Sequence, residues 1–328
     1  MNRNRIVTLL GFLISVLLLY FSLKDIQFRD IYTILKNADY RLIFIPTCFI
    51  LLASLFSSFK WSKIAGNRVR VKNTFVALII GLFINNVLPA RIGEVVRGYV
   101  LSKKEGLSFS FALSTVLIDR LFDLIGLLLI TFTFFPKQNL PHQISNAIYL
   151  LIILLTVCIT VFILFSNKKA THIIVDKLYD IHRPAFAKIG KRIYEIHENL
   201  ARIKSPLTVL YYIFIAFIQW LCMSAALYFV TIIIGLSLNF FYIPFICALL
   251  NMGIAVPSSP GYIGVYQFIL VYLLAIFDIP KSQGFTTSIL FHASWYIPYN
   301  IMGFFFLLKE HIKIKELKKI KRGTISKN

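Results

Sequence analysis

Apolar residues run in long blocks along this chain, and polar residues interrupt them at few places. Residues 6–23, 42–59, 107–135, 147–165, 207–234 and 285–308 are each near or above the ~20 residues that a membrane-crossing helix needs. Two other blocks are short: residues 74–88 stop at Asn85-Asn86-Val87-Leu88-Pro89, and residues 242–256 stop at Pro257-Ser258-Ser259-Pro260-Gly261. Each is followed by a second short apolar stretch and then by a long one. The pattern predicts an all-α polytopic membrane protein with six full crossings plus two re-entrant helical hairpins, at about 74–100 and 242–277. Broken helices are tolerated at membrane depth where protein or water covers their freed backbone groups. An arrangement of eight to ten spanning helices is the alternative.

Composition removes the soluble reading. The chain has 328 residues, of which 58% are hydrophobic, and its mean hydropathy is +0.77. A soluble domain of this size has too little interior for so much apolar surface. A net charge of +21 would point to nucleic acid in a soluble protein, but here the bases cluster between apolar blocks. Residues 60–72 carry five bases and no acid, residues 166–205 nine bases and four acids, and residues 309–328 eight bases and two acids. Such segments stay in the cytoplasm, so both termini are expected there and no nucleic-acid partner is expected. The two hairpins then enter from opposite sides, as an inverted repeat requires. One membrane domain spans 1–308, with a cytoplasmic loop at 166–205, long enough for an interfacial helix, and a basic cytoplasmic tail at 309–328. No small-residue cleavage site ends residues 6–23, so they read as a retained helix.

The candidate chemistry lies where charges interrupt the apolar blocks. Arg91, Glu94 and Arg97 are spaced by three, so a helical returning limb puts them along one side. Glu94 balances one arginine and leaves the other for phosphate, which the planar guanidinium fork suits. Asn85 and Asn86 add neutral donors and acceptors, and a helix starting at Pro89 adds an anion-binding end. Asp119 and Asp123 are one helical turn apart, with Arg120 offset. One acid is expected to pair with Arg120 and another with Arg91 or Arg97; the alternative is a permanent structural salt bridge. In the second half, Pro257, Pro260, Gly261 and Gly264 read as backbone hinges, as do Pro89 and Gly93 in the first. Ser258 and Ser259 either cap the following limb or touch a headgroup. Gln267 is a neutral cavity candidate, and His292 is either an anion contact or a packed, hydrogen-bonded side chain.

The motifs Asn86-x-x-Pro89-x-Arg91-x-Gly93-Glu94-x-x-Arg97, Asp119-Arg120-x-x-Asp123 and Pro257-x-x-Pro260-Gly261-x-x-Gly264-Val265 carry a family resemblance. Over roughly residues 6–308 the chain resembles the flippase-like membrane family named after the transmembrane region of lysylphosphatidylglycerol synthase, the multiple peptide resistance factor. The resemblance implies a fold with two re-entrant helices and translocation of lipid between leaflets. It also implies the inner or plasma membrane of a prokaryote, and a lipid partner bearing an anionic headgroup or polyprenyl phosphate. Asp119 stands where relatives commonly have glutamate, and Gln267 where they often have glutamate. His292, Trp295 and Tyr296 stand in a crossing that often carries arginine. No soluble synthase domain follows Leu308, so a stand-alone flippase is expected rather than the bifunctional protein.

Other chemistries draw little from the sequence. Cys48, Cys158, Cys222 and Cys247 all lie in apolar blocks without metal or redox spacing. No His-Glu-x-x-His, Walker loop or dinucleotide fingerprint occurs, so neither metal nor cofactor is expected. The competing functions are a membrane-embedded enzyme acting on polyprenyl phosphate or lipid, and a scaffold for a glycosyltransferase or envelope-lipid complex. Phe-rich outer faces either meet acyl chains or pack a homodimer.

Overall fold

The computed structural model describes residues 3–66, 68–88, 92–136, 167–181, 205–254 and 259–312, together with scattered positions between 146 and 203. All regular structure among the described residues is helical. In chain order the helices are α1 (Arg3–Leu23), α2 (Phe28–Lys36), α3 (Phe44–Ala65), α4 (Val71–Val87), α5 (Gly93–Glu105) and α6 (Phe109–Thr133). They continue as α7 (Lys168–Tyr179), α8 (Pro206–Ile233), α9 (Tyr242–Gly253), α10 (Val265–Ala275) and α11 (Lys281–Lys309). Residues Tyr40–Ala65 and Pro206–Ile233 are long and apolar enough to cross a membrane, by length and composition.

Local chemistry sets the breaks. Gly106 ends α5 in a left-handed conformation, and Ser108 then starts α6 by accepting a hydrogen bond from the Phe111 amide. Ser205 caps α8, whose first position is Pro206. The returning limb α5 continues five residues past the expected 100, to Glu105. Helix α3 also runs beyond the expected 59, because Trp61 and Ala65 extend its apolar face into one packed cluster and Ile64 into another. That extension takes Lys60 out of the basic loop to which charge counting assigns it.

The limbs α4 and α5 form a closed antiparallel pair. Asn73 near the start of α4 donates to Glu105 at the end of α5, and Asn85 near the end of α4 accepts from the Gly93 amide at 2.7 Å. The limbs touch at Gly81 and Gly93, where a Cβ on Gly93 would lie 2.2 Å from the Gly81 carbonyl oxygen. Only glycine permits that approach. Helices α9 and α10 pair likewise, with Tyr242 stacked on Phe277 at one end and Gly253 against Ile269 nearer the other.

Helices α3–α6 and α8–α11 have the same internal packing. In the first set α3 packs on α4 and α6, α4 on α5, and α5 on α6; in the second α8 packs on α9 and α11, α9 on α10, and α10 on α11. Between the sets, α4 packs on α11 as α9 packs on α6. The central contact is α3 against α8, and these run antiparallel: Phe49 stacks on Phe229, and Lys60 approaches Gln219. The two larger apolar clusters centre on one set each, around Val96, Val100 and Val116 in the first and Phe245, Leu250 and Phe291 in the second.

Many large apolar side chains face outward, while four charged side chains, Lys60, Arg97, Asp119 and Asp123, are buried among the described residues. Phe44 is 77% exposed, Leu207 75% and Ile301 65%, whereas Lys60 is 0% and Arg97 1% exposed. A water-soluble protein has the reverse distribution, and a bilayer accounts for this one.

Candidate functional site

Helix α6 carries Asp119, Arg120 and Asp123 into the junction of α3, α5 and α8. The Lys60 Nζ lies between the two aspartates, 3.3 Å from Asp119 Oδ1 and in direct hydrogen-bonding contact with Asp123 Oδ1. Arg97 donates through Nη2 to Asp119 Oδ2 at 2.9 Å. Arg120 donates to Asp123 Oδ2 at 3.2 Å and to Glu94 Oε1 at 3.4 Å. The six groups form a chain of alternating sign, Arg97–Asp119–Lys60–Asp123–Arg120–Glu94. Its ends, Glu94 and Arg97, are neighbours on one side of α5. Three cations and three carboxylates balance within it.

The surroundings lock half of this network. The Arg97 guanidinium lies over the Trp61 ring at 4.4 Å, and the Trp61 indole donates to Thr115 Oγ1 at 3.0 Å. Lys60, Arg97 and Asp119 are fully enclosed. Glu94 and Arg120 are about one-third exposed, with side-chain exposures of 34% and 36%. The Glu94 carboxylate is held loosely, by Arg120 and by Asn85 Nδ2, all at 3.4 Å.

A cavity of about 370 Å³ opens beside this network, between the two helix sets. The first helix set lines it with Asn85, Asn86, Glu94, Arg120, Asp123, Ser54 and Ser57, and the second with Tyr262, Tyr266, Trp295 and Tyr299; the two linings join where the Ser54 and Tyr299 hydroxyls meet at 2.7 Å. Gln219, Trp220 and Asn251 complete its polar and aromatic lining. Asn86 Nδ2 and Arg120 Nε are buried donors with no hydrogen-bond acceptor among the described residues.

The remaining candidates are distributed as follows. Arg97 and Asp119 lie behind the cavity rather than in its wall. Gln267 Oε1 accepts from the Gly264 amide at 2.7 Å, capping α10, and its Nε2 meets His292 Nδ1 at 2.9 Å. His292 packs between Tyr266 and Trp295, at ring distances of 4.6 and 4.7 Å. Neither Gln267 nor His292 lines the cavity. Ser259 binds its own turn, donating through Oγ to the Ile263 carbonyl at 2.8 Å and through its amide to Ser15 Oγ at 3.1 Å. Pro260 opens the short turn Pro260–Tyr262, in which Gly261 has φ 68°; Gly264 has φ 89°. Pro89, Arg91, Pro257 and Ser258 lie outside the described residues.

Sequence reasoning missed Lys60, Gln219, Asn251 and the aromatic wall. In the sequence Lys60 stands at the end of an apolar block, with Trp61, Ile64 and Ala65 continuing beyond it.

Residues 8–303 match the family model described as the lysylphosphatidylglycerol synthase TM region. The chain belongs to this family. It is 28% identical to a UPF0104 membrane protein of Methanocaldococcus jannaschii over 243 residues, covering 72% of this chain and 98% of that relative. A second UPF0104 membrane protein of the same archaeon is 25% identical over 323 residues, covering 90% and 93%. One from Methanothermobacter thermautotrophicus is 27% identical over 238 residues, covering 67% and 69%. Family membership and the apolar exterior together make this an integral membrane protein of a prokaryotic family. In this member of the family, one helix set supplies all six members of the ionic network.

Proposed function

We propose that this protein moves an anionic or phosphate-bearing lipid between membrane leaflets, with the headgroup passing through the cavity between the two helix sets. The observation that carries the reading is the cavity itself. It sets a charged, amide-rich wall with two unused donors against an aromatic wall, in a molecule whose exterior is apolar. A headgroup fits the first kind of surface and hydrocarbon the exterior. The family description, which names a lipid-synthesising protein, supports the same substrate class.

In this reading Arg120 is the cation that meets the phosphate, and Asn86 adds a second donor. Arg97, which the sequence nominated with Arg91 to hold phosphate, instead holds Asp119 in place, and Arg120, expected only to pair with an acid, takes that role. The paired limbs are short, 17 and 13 residues in α4 and α5 and 12 and 11 in α9 and α10. Against the ~20 residues of a full crossing, these lengths support two re-entrant hairpins. The antiparallel packing of α3 on α8 supports entry from opposite faces and an inverted repeat around the site. Six full crossings and two cytoplasmic termini complete the proposed topology.

The test is transbilayer movement of headgroup-labelled lipid in proteoliposomes. Arg120→Gln removes the cavity-facing charge and keeps a polar side chain. Movement of phosphate-bearing lipid is expected to fall about tenfold or more, the worth of a charge-assisted hydrogen bond. Unchanged movement in folded Arg120→Gln protein rules out this role for the cavity wall.

A further inference from the structure

The charge balance of the cavity network implies a second ligand. Resting on the lipid-moving reading above, we propose that a headgroup phosphate binds here only together with a companion proton, which Glu94 accepts. Among the described residues the network is neutral, and each of its six charges already has an opposite partner. A phosphate monoanion that takes Arg120 displaces a carboxylate from it. Among the described residues the displaced carboxylate is then one uncompensated negative charge lining a cavity of a membrane protein, where an unpaired charge is costly. The neutral state returns when that carboxylate takes up a proton.

Geometry selects Glu94 over Asp123. Asp123 is 4% exposed and keeps Lys60 after Arg120 leaves. Glu94 faces the cavity, and its hydrogen bonds to the described residues are all at 3.4 Å. Losing Arg120 leaves it, among the described residues, the Asn85 amide. Among the described residues the charged and polar groups of the network and wall around it are Asp119, Arg120 and Asp123 from α6, Asn85 from α4, Arg97 on its own helix and Lys60 from α3, while the Tyr262 phenol shares the cavity. The two unused donors, Asn86 Nδ2 and Arg120 Nε, give an acceptor-rich ligand independent reason to settle beside it.

The experiment measures proton uptake as purified full-length protein binds a short-chain phosphatidylglycerol, in weakly buffered detergent solution. Uptake of about one proton per lipid is expected, with affinity falling about tenfold per pH unit wherever that uptake is complete. A short-chain phosphatidylethanolamine brings its own ammonium group and is expected to bind without proton uptake. Glu94→Gln leaves the network one positive charge in excess, so it is expected to bind phosphatidylglycerol at least as tightly, with the pH dependence gone. Phosphatidylglycerol binding without proton uptake in the wild type overturns the inference, as does undiminished uptake in Glu94→Gln. Uptake replaced by a sodium requirement overturns the choice of proton. If lipid binds with proton uptake and no transbilayer movement occurs in proteoliposomes, the lipid-moving reading fails and the coupled site stands. If neither lipid binds, both fail.

Discussion

The two helix sets share one plan and fill it with different chemistry. In the first, α5 is tied to α6 by Arg97 and Asp119, two charged side chains at 2.9 Å. In the second, α10 is tied to α11 by Gln267 and His292, also at 2.9 Å and without a full charge pair. The first set adds Lys60, Arg120, Asp123 and Glu94; the second adds Tyr262, Tyr266, Trp295 and Tyr299. One architecture therefore supplies a polar wall from one side and an aromatic wall from the other. The comparison teaches that the repeated feature is the packing of a limb onto the next long helix. The residues at that seam differ, and in each set one polar pair joins the limb to the helix.

The largest expected effect is on Lys60. Lys60→Met leaves Asp119 and Asp123 sharing an interior that has lost its central cation, at a cost of about 3–5 kcal/mol. Thermal unfolding of the detergent-solubilised variant reads this as a sharply lowered midpoint and poor yield. Lys60→Met combined with Asp123→Asn removes one of the stranded charges and is expected to recover part of the loss. No recovery would mean that the two walls do not differ in the way described. Next comes Gly93→Ala, which forces the α4–α5 limbs apart and is expected to cost about 1–3 kcal/mol by overpacking. A midpoint equal to wild type would show that the limbs have room that the 2.2 Å approach denies.

The seam of the second set is expected to be softer. Gln267→Leu loses the cap on α10 and strands His292 Nδ1, costing about 1–3 kcal/mol. Discrimination between phosphatidylglycerol and a neutral lipid is expected to persist in that variant, because Gln267 lies outside the cavity wall. Lost discrimination would give the second seam a role in recognition and erase the contrast. The smallest effect belongs to Trp295→Phe. It removes the 3.2 Å indole hydrogen bond to the Tyr266 hydroxyl and keeps most of the aromatic surface, for about 0.5–1.5 kcal/mol.

Much of the fold was legible in the residue order. A hairpin made of short apolar blocks declares itself through the polar and proline-containing stretches that stop them, and α4–α5 and α9–α10 lie where those stops predict. Charges in an apolar block cannot be left to lipid, so Glu94, Arg97, Asp119, Arg120 and Asp123 marked the site by their cost alone. The helical spacing of Asp119 and Asp123 also put them on one face without any knowledge of neighbours.

What the residue order left open is which groups meet, because meeting depends on helices far apart in sequence. Lys60 sits at the edge of its apolar block, and a basic residue there has the same local pattern whether it flanks a membrane or enters a core. Only the packing of α3 against α6 decides that it lies between two aspartates. Arg97 and Arg120 are likewise equivalent as intramembrane arginines. The stacking of Trp61 encloses the first, and the opening between the helix sets exposes the second. The sequence by itself determined that charges must gather inside this membrane protein. The tertiary structure decided their order and which of them faces the cavity, since solvation and pairing depend on distances in space that no spacing along the chain contains.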